Sequence, residues 1–130
     1  QEHDELFIRL SDIVSFHTYS RLADVVERVQ QLKTLGRPLW CTEWLARTQH
    51  KVEEVLPYLQ QQRVGAINWG LVDGKMQTKF PWGSPENAPE PEPWFHDVFR
   101  ADGKPYRESE AAVWRECRAA AKPKQRGPSG

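Results

Sequence analysis

Three short runs along the chain share one layout, apolar at the start and polar at the end. They are Asp12-Ile13-Val14-Ser15-Phe16-His17-Thr18-Tyr19, Pro38-Leu39-Trp40-Cys41-Thr42-Glu43-Trp44 and Gly65-Ala66-Ile67-Asn68-Trp69-Gly70. Their length, their content and breaks such as Gly36-Arg37-Pro38 predict buried strands. Between the first two, Leu22, Val25, Val26, Val29, Leu32 and Leu35 recur at helical spacing, and Gly36 stops the helix. Between the second and third, Val52, Val55, Leu56 and Leu59 predict another helix, in which Pro57 forces a kink or a fresh turn. The order is strand, helix, strand, helix, strand, which predicts a parallel βαβαβ unit with right-handed crossovers. A last helix is expected from Glu108 to Ala121, with Val113, Trp114 and Cys117 on one face.

The two-residue period of a strand then sorts side chains. It puts Ile13, Ser15, His17 and Tyr19 on one face, Leu39, Cys41 and Glu43 on one face, and Ile67 and Trp69 on one face. Trp40, Thr42 and Trp44 fall opposite Glu43. If the first three sets line a barrel, His17, Tyr19, Glu43 and Trp69 converge at its C-terminal mouth, where parallel barrels keep their chemistry. A carboxylate at the end of a buried strand destabilises unless it is paired or used. A salt-bridged strand-end Glu43 and a backbone-satisfied His17 fit the same segments taken singly.

Past Trp69 the chain turns irregular. Asp73-Gly74 is a turn, and Phe80 to Trp94 carries prolines too densely for a helix or a central strand. A loop spanning 73–94 is expected to cover the barrel mouth. Trp82 and Gln77 in that loop, and Trp44 beside Glu43, are candidate substrate contacts. Loop anchoring and solvated surface are the plainer roles for Trp82 and Gln77. Residues 95–99 read as a helical or extended turn, 101–104 as a reverse turn, and 122–130 as a disordered tail.

At 130 residues the chain is one domain's worth. A hydrophobic content of 38% is lean for an independent barrel core. A formal net charge of +0 gives no electrostatic case for nucleic acid or a membrane surface, and no apolar run approaches a transmembrane length. Two cysteines make no disulfide framework, so Cys41 and Cys117 are expected as free thiols. Neither a metal nor a cofactor is expected, since the four histidines and two cysteines show no zinc-ligand spacing.

Three segments, Phe16-His17-Thr18-Tyr19, Cys41-Thr42-Glu43-Trp44-Leu45-Ala46-Arg47 and Asn68-Trp69-Gly70-Leu71-Val72-Asp73-Gly74-Lys75-Met76-Gln77-Thr78, resemble the second half of clan A glycoside hydrolases. The similarity is to the cellulase-like family five group, including endo-xylanases, and runs from about residue 11 to about residue 115. It implies an α/β fold, a partial (β/α)8 barrel made of the last three βα units, occupying residues 1–121. It implies Glu43 as nucleophile, His17 and Tyr19 as the groups that orient and tune it, and Trp69 as a sugar platform. It implies a β-linked carbohydrate substrate such as xylan or cellulose. The family's acid/base is the Glu of an Asn-Glu pair, and no Asn-Glu dipeptide occurs in this chain. The expectation is therefore the C-terminal part of a longer enzyme, prone to self-association or to pairing with an N-terminal barrel half. A non-catalytic half-barrel and a doubly wound domain with a ligand at its switch point are the alternatives. The second lacks any glycine-rich phosphate loop after its strands.

Overall fold

The computed structural model describes residues 2–121, with side chains from residue 5 onward; the tail expected at 122–130 lies outside the described residues. Its elements are α1 (Glu2–Leu10), β1 (Val14–His17), α2 (Leu22–Lys33), β2 (Leu39–Glu43), α3 (Val52–Gln61), β3 (Gly65–Ala66) and α4 (Glu108–Ala121). The three strands form one parallel sheet in the order β1-β2-β3. The fold is α/β, a small parallel sheet with four helices among the described residues.

Helices α2 and α3 cover one face of the sheet. Val25, Val29 and Leu32 of α2 and Val52, Val55, Leu56 and Leu59 of α3 pack with Val14, Phe16, Leu39 and Cys41. Each fully buried aliphatic side chain of this kind contributes about 1.5–3 kcal/mol. Helix α4 packs on α3 from outside, through Val113, Trp114 and Cys117. Helix α3 runs unbroken through Pro57. The carbonyl that Pro57 leaves without its usual donor belongs to Glu53, an exposed residue in the first turn, where water can satisfy it.

The other face of the sheet is open. Ser15, His17 and Trp40 are exposed there, and Ile13 and Ile67 at the strand ends are about half exposed. This corrects the strand period for β2. Leu39 and Cys41 do not share a face with Glu43; they lie with Val14 and Phe16 under the helices. The reason is a bulge. Phe16 pairs with Cys41, but His17 pairs with Glu43, so Thr42 is the extra residue. One inserted residue reverses every side chain after it. Without it, Glu43 would point into the helical layer.

Helix α1 is not foreshadowed by the apolar pattern. Arg37 holds it by donating to the carbonyls of Ile8, Arg9 and Ser11. A guanidinium at the carbonyl end of a helix satisfies unpaired acceptors and suits the dipole. Strand β3 is shorter than the run it came from, yet the ladder's direction persists. Ile67 N–H donates to Cys41 O at 2.9 Å and Trp69 N–H to Trp44 O at 3.0 Å.

The proline-rich stretch is irregular and tied down by polar side chains. Lys79 bridges Asp73 at 2.9 Å and Glu90 at 3.1 Å. Trp94 Nε1–H donates to Glu90 and Tyr106 O–H to Glu92. Residues 95–99 bend at Phe95 and His96 and end in a bridge at Phe99, and the Phe95 and His96 amides donate to Lys79 O and Thr78 O. Below the loop, Arg47 makes a buried two-pronged pair with Glu110 at 2.8 and 2.7 Å and also donates to Trp94 O. Both cysteines are free.

Candidate active site

Glu43 ends β2 beside the C-terminal end of β1. Tyr19 O–H donates to Glu43 Oε2 at 2.8 Å, and His17 Nδ1 lies 3.2 Å from the same oxygen. Both contacts fall on Oε2, so among the described residues Oε1 carries no hydrogen bond. A carboxylate oriented by one oxygen, with the other turned to a partly open surface, is arranged to act as a nucleophile or an acceptor. The Tyr19 phenol is pushed well above its ordinary range by burial first and then by its bond to the Glu43 carboxylate. It therefore stays a donor throughout the physiological range. Burial also pushes the Cys41 thiol up to about 12, which favours the protonated thiol over the nucleophilic thiolate at neutral pH.

The turn that follows Glu43 is strained. Leu45 has φ 85°, a left-handed value that side chains other than glycine and asparagine rarely adopt. Such a conformation costs about 1–3 kcal/mol and persists only where its surroundings hold it. Here Leu45 is fully buried and its carbonyl accepts from His96 Nδ1–H. The strained residue lies two positions after Glu43.

Trp82 packs edge-on to Tyr19 with ring centroids 4.9 Å apart and edge-on to Phe95 at the same distance. Trp82 is 63% exposed, so an apolar indole surface stands beside the phenol that holds Glu43. Trp69 is also partly exposed; it borders a recess of about 250 Å³ with Leu71, Val72 and Met76. Gln77 adopts φ 52° and opens onto a separate recess of about 590 Å³ shaped by the proline-rich loop. No described hydrogen bond or ring contact joins Trp69 or Gln77 to Glu43. Trp44 does not reach the surface at all. It is 0% exposed, packed between the His50 ring at 5.9 Å and the Trp114 ring at 5.5 Å, and it serves the core rather than a substrate.

Among the described residues no group of His, Cys, Asp and Glu is placed to hold a metal ion.

Sequence reasoning missed His96 and Asp97. The only signal was a polar pair inside the aromatic run Trp94-Phe95-His96-Asp97-Val98-Phe99. Both are buried, Asp97 completely. Asp97 Oδ1 accepts from Thr78 O–H at 2.5 Å, while Asp97 Oδ2 and His96 Nε2 have no partner. Gly70 makes room for the pair. A Cβ there would come within 2.7 Å of His96 Cβ and 2.9 Å of Asp97 Oδ1.

His50 and His96 are expected to make the fold acid-sensitive. His50 Nδ1–H donates to Ser20 O at 2.8 Å and Nε2 accepts from the Ala46 amide, so protonating Nε2 breaks a bond. Burial lowers both imidazoles below their ordinary value, against the opposing pull of the carbonyls they bond. A histidine depressed in the folded state binds its proton more readily in the unfolded chain. Its stabilisation is then complete above about pH 6.5 and is lost as pH falls through the lowered native value. The melting temperature is expected to be higher at pH 8 than at pH 5, with a shallower dependence in His50→Gln. Equal slopes in the two proteins would rule out His50 as a source.

Comparison of the chain with protein-family models, with curated proteins and with solved structures found no match.

Proposed function

We propose that this chain carries the nucleophile-bearing part of a retaining (β/α)8 glycoside hydrolase acting on β-linked polysaccharide or oligosaccharide. The observation that carries the proposal is the bond from Tyr19 O–H to Glu43 Oε2 at 2.8 Å, with His17 Nδ1 at 3.2 Å, at the C-terminal ends of neighbouring parallel strands. In this reaction Glu43 Oε1 attacks the anomeric carbon and the leaving-group oxygen departs with a proton. A second carboxyl group about 5–5.5 Å away supplies that proton and later activates water. Tyr19 and His17 keep Oε2 in place while negative charge leaves Oε1. The exposed Trp82 and Trp69 rings suit the apolar C–H face of a pyranose. The second carboxyl would come from a partner barrel segment seated on the open sheet face, whose β1 and β3 edges lack neighbours among the described strands.

A 2-deoxy-2-fluoro-β-glycosyl donor with a highly activated leaving group needs no acid, so it tests the nucleophile alone. Glu43 is expected to gain one fluoroglycosyl group, seen by mass spectrometry of the peptide that contains it, with no adduct in Glu43→Gln. A folded wild-type chain that stays unlabelled by both gluco- and xylo-configured donors would leave a non-catalytic half-barrel as the better description.

A further inference from the structure

We infer that His96 is a positioning residue that holds the Glu43 turn, the Tyr19 phenol and the Trp82 indole in one arrangement. The inference rests on the nucleophile role proposed for Glu43. Three observations meet at this imidazole. Its Nδ1–H donates to Leu45 O, in the left-handed residue two positions after Glu43. Its ring lies 5.4 Å from the Tyr19 ring and 5.3 Å from the Trp82 ring, closing a three-ring cluster with the donor to Glu43 and the exposed indole. Its own backbone is fixed, since the His96 amide donates to Thr78 O at 3.2 Å and Gly70 packs against its Cβ.

The rigidity extends to both neighbours. Phe95 O accepts from the Arg47 amide at 3.1 Å, just past the strained turn, and Asp97 Oδ1 accepts from Thr78. His96 is thus a fixed post on the segment after the proline-rich loop, against which the end of β2 is latched. A strained turn needs such a latch, because a left-handed leucine relaxes when its restraints are removed. The chemistry selects the residue type. A ring tilted against Tyr19 and Trp82 and an N–H donor are combined in one side chain, and burial favours the neutral imidazole, whose Nε2 carries no proton when Nδ1 donates. The charged groups facing it are Asp97, Arg47 and Glu43. A bare aromatic ring would lose the latch, and a bare amide would lose the packing under Tyr19 and Trp82.

The test compares His96→Phe, which keeps a ring and loses the donor, with His96→Asn, whose amide can donate to Leu45 O. The readout is the carbon-13 resonance of Tyr19 Cζ at neutral pH, which reports whether its hydroxyl donates to a carboxylate. Tyr19→Phe assigns the resonance and Glu43→Ala sets its unbonded position. His96→Phe is expected to move the resonance toward that position and to slow fluoroglycosyl labelling by roughly tenfold to a hundredfold, the scale of a small misplacement of reacting groups. His96→Asn, which restores the donor but not the ring, is expected to recover part of the wild-type resonance. An unshifted resonance in folded His96→Phe, or equal shifts in both variants, would overturn the inference. In the wild-type chain, nitrogen-15 spectra are expected to show the proton on His96 Nδ1. Finding it on Nε2 would overturn the inference whether or not either variant folds. These spectra require no glycoside, so a wild-type chain that is never labelled would end the nucleophile proposal and leave the latch measurable by itself.

Discussion

Glu110→Ala is expected to destabilise the chain by about 3–5 kcal/mol, the range for breaking a buried ion pair from one side. Arg47 and Glu110 are both almost fully buried and share two hydrogen bonds. Alanine at 110 leaves the Arg47 guanidinium largely out of water, with its bond to Trp94 O and the Tyr106 ring as its remaining described contacts. Domains of this size commonly have a total stability of about 5–15 kcal/mol, so the loss takes a large share. Urea unfolding followed by circular dichroism measures it. The control is Arg47→Met with Glu110→Leu, which removes both charges and is expected to lie much closer to wild type. A loss under about 1 kcal/mol in Glu110→Ala would mean that water reaches Arg47 and that the pair behaves as a surface bridge.

The second large effect concerns turnover. The chain alone is expected to release no measurable reducing sugar from an unactivated β-linked polysaccharide. General acid catalysis is typically worth about 10²–10⁴-fold, and the chain carries no Asn-Glu pair of the kind that supplies the acid/base in the enzymes it resembles. Adding a barrel segment that supplies an acid near Glu43 is expected to raise the rate by at least that factor, with retention of anomeric configuration. Polysaccharide turnover by the chain alone, abolished in Glu43→Ala, would show instead that a carboxyl already present in the chain acts as the acid.

The helical periods of Val25, Val29 and Leu32 and of Val52, Val55 and Leu59 were legible because each faces one continuous apolar layer. The strand order followed from them. The side-chain facing of β2 was not legible. A bulge at Thr42 is a property of the pairing between two strands, and neither strand carries it alone. Glu43 reached the expected face only because two departures cancelled: the strand's covered face is the one bearing Cys41, and the bulge then turned Glu43 away from it. Trp44 was misjudged for a related reason. Adjacency to a candidate nucleophile says little about direction where the chain is leaving the ladder for a left-handed turn. His96, Asp97 and the Arg47–Glu110 pair depend on contacts spanning 19 to 63 residues. No local period encodes contacts that distant, and the proline-rich segment that sets up several of them has no period at all.

The six tryptophans are divided by the fold into two optical populations. Trp44 and Trp94 are buried and Trp114 is largely covered, whereas Trp40, Trp69 and Trp82 face solvent. Trp40 stands on the open side of the sheet, its ring against Gly65, and Trp82 stands beside Tyr19. A collisional quencher such as iodide would therefore silence one half of the emission and spare the other. Protection of the quenchable half on adding a glycan, or on raising the protein concentration, would report which exposed indoles become covered. Single Trp40→Phe and Trp82→Phe variants would then separate a sugar at the mouth from a protein on the sheet, with no enzymatic assay required.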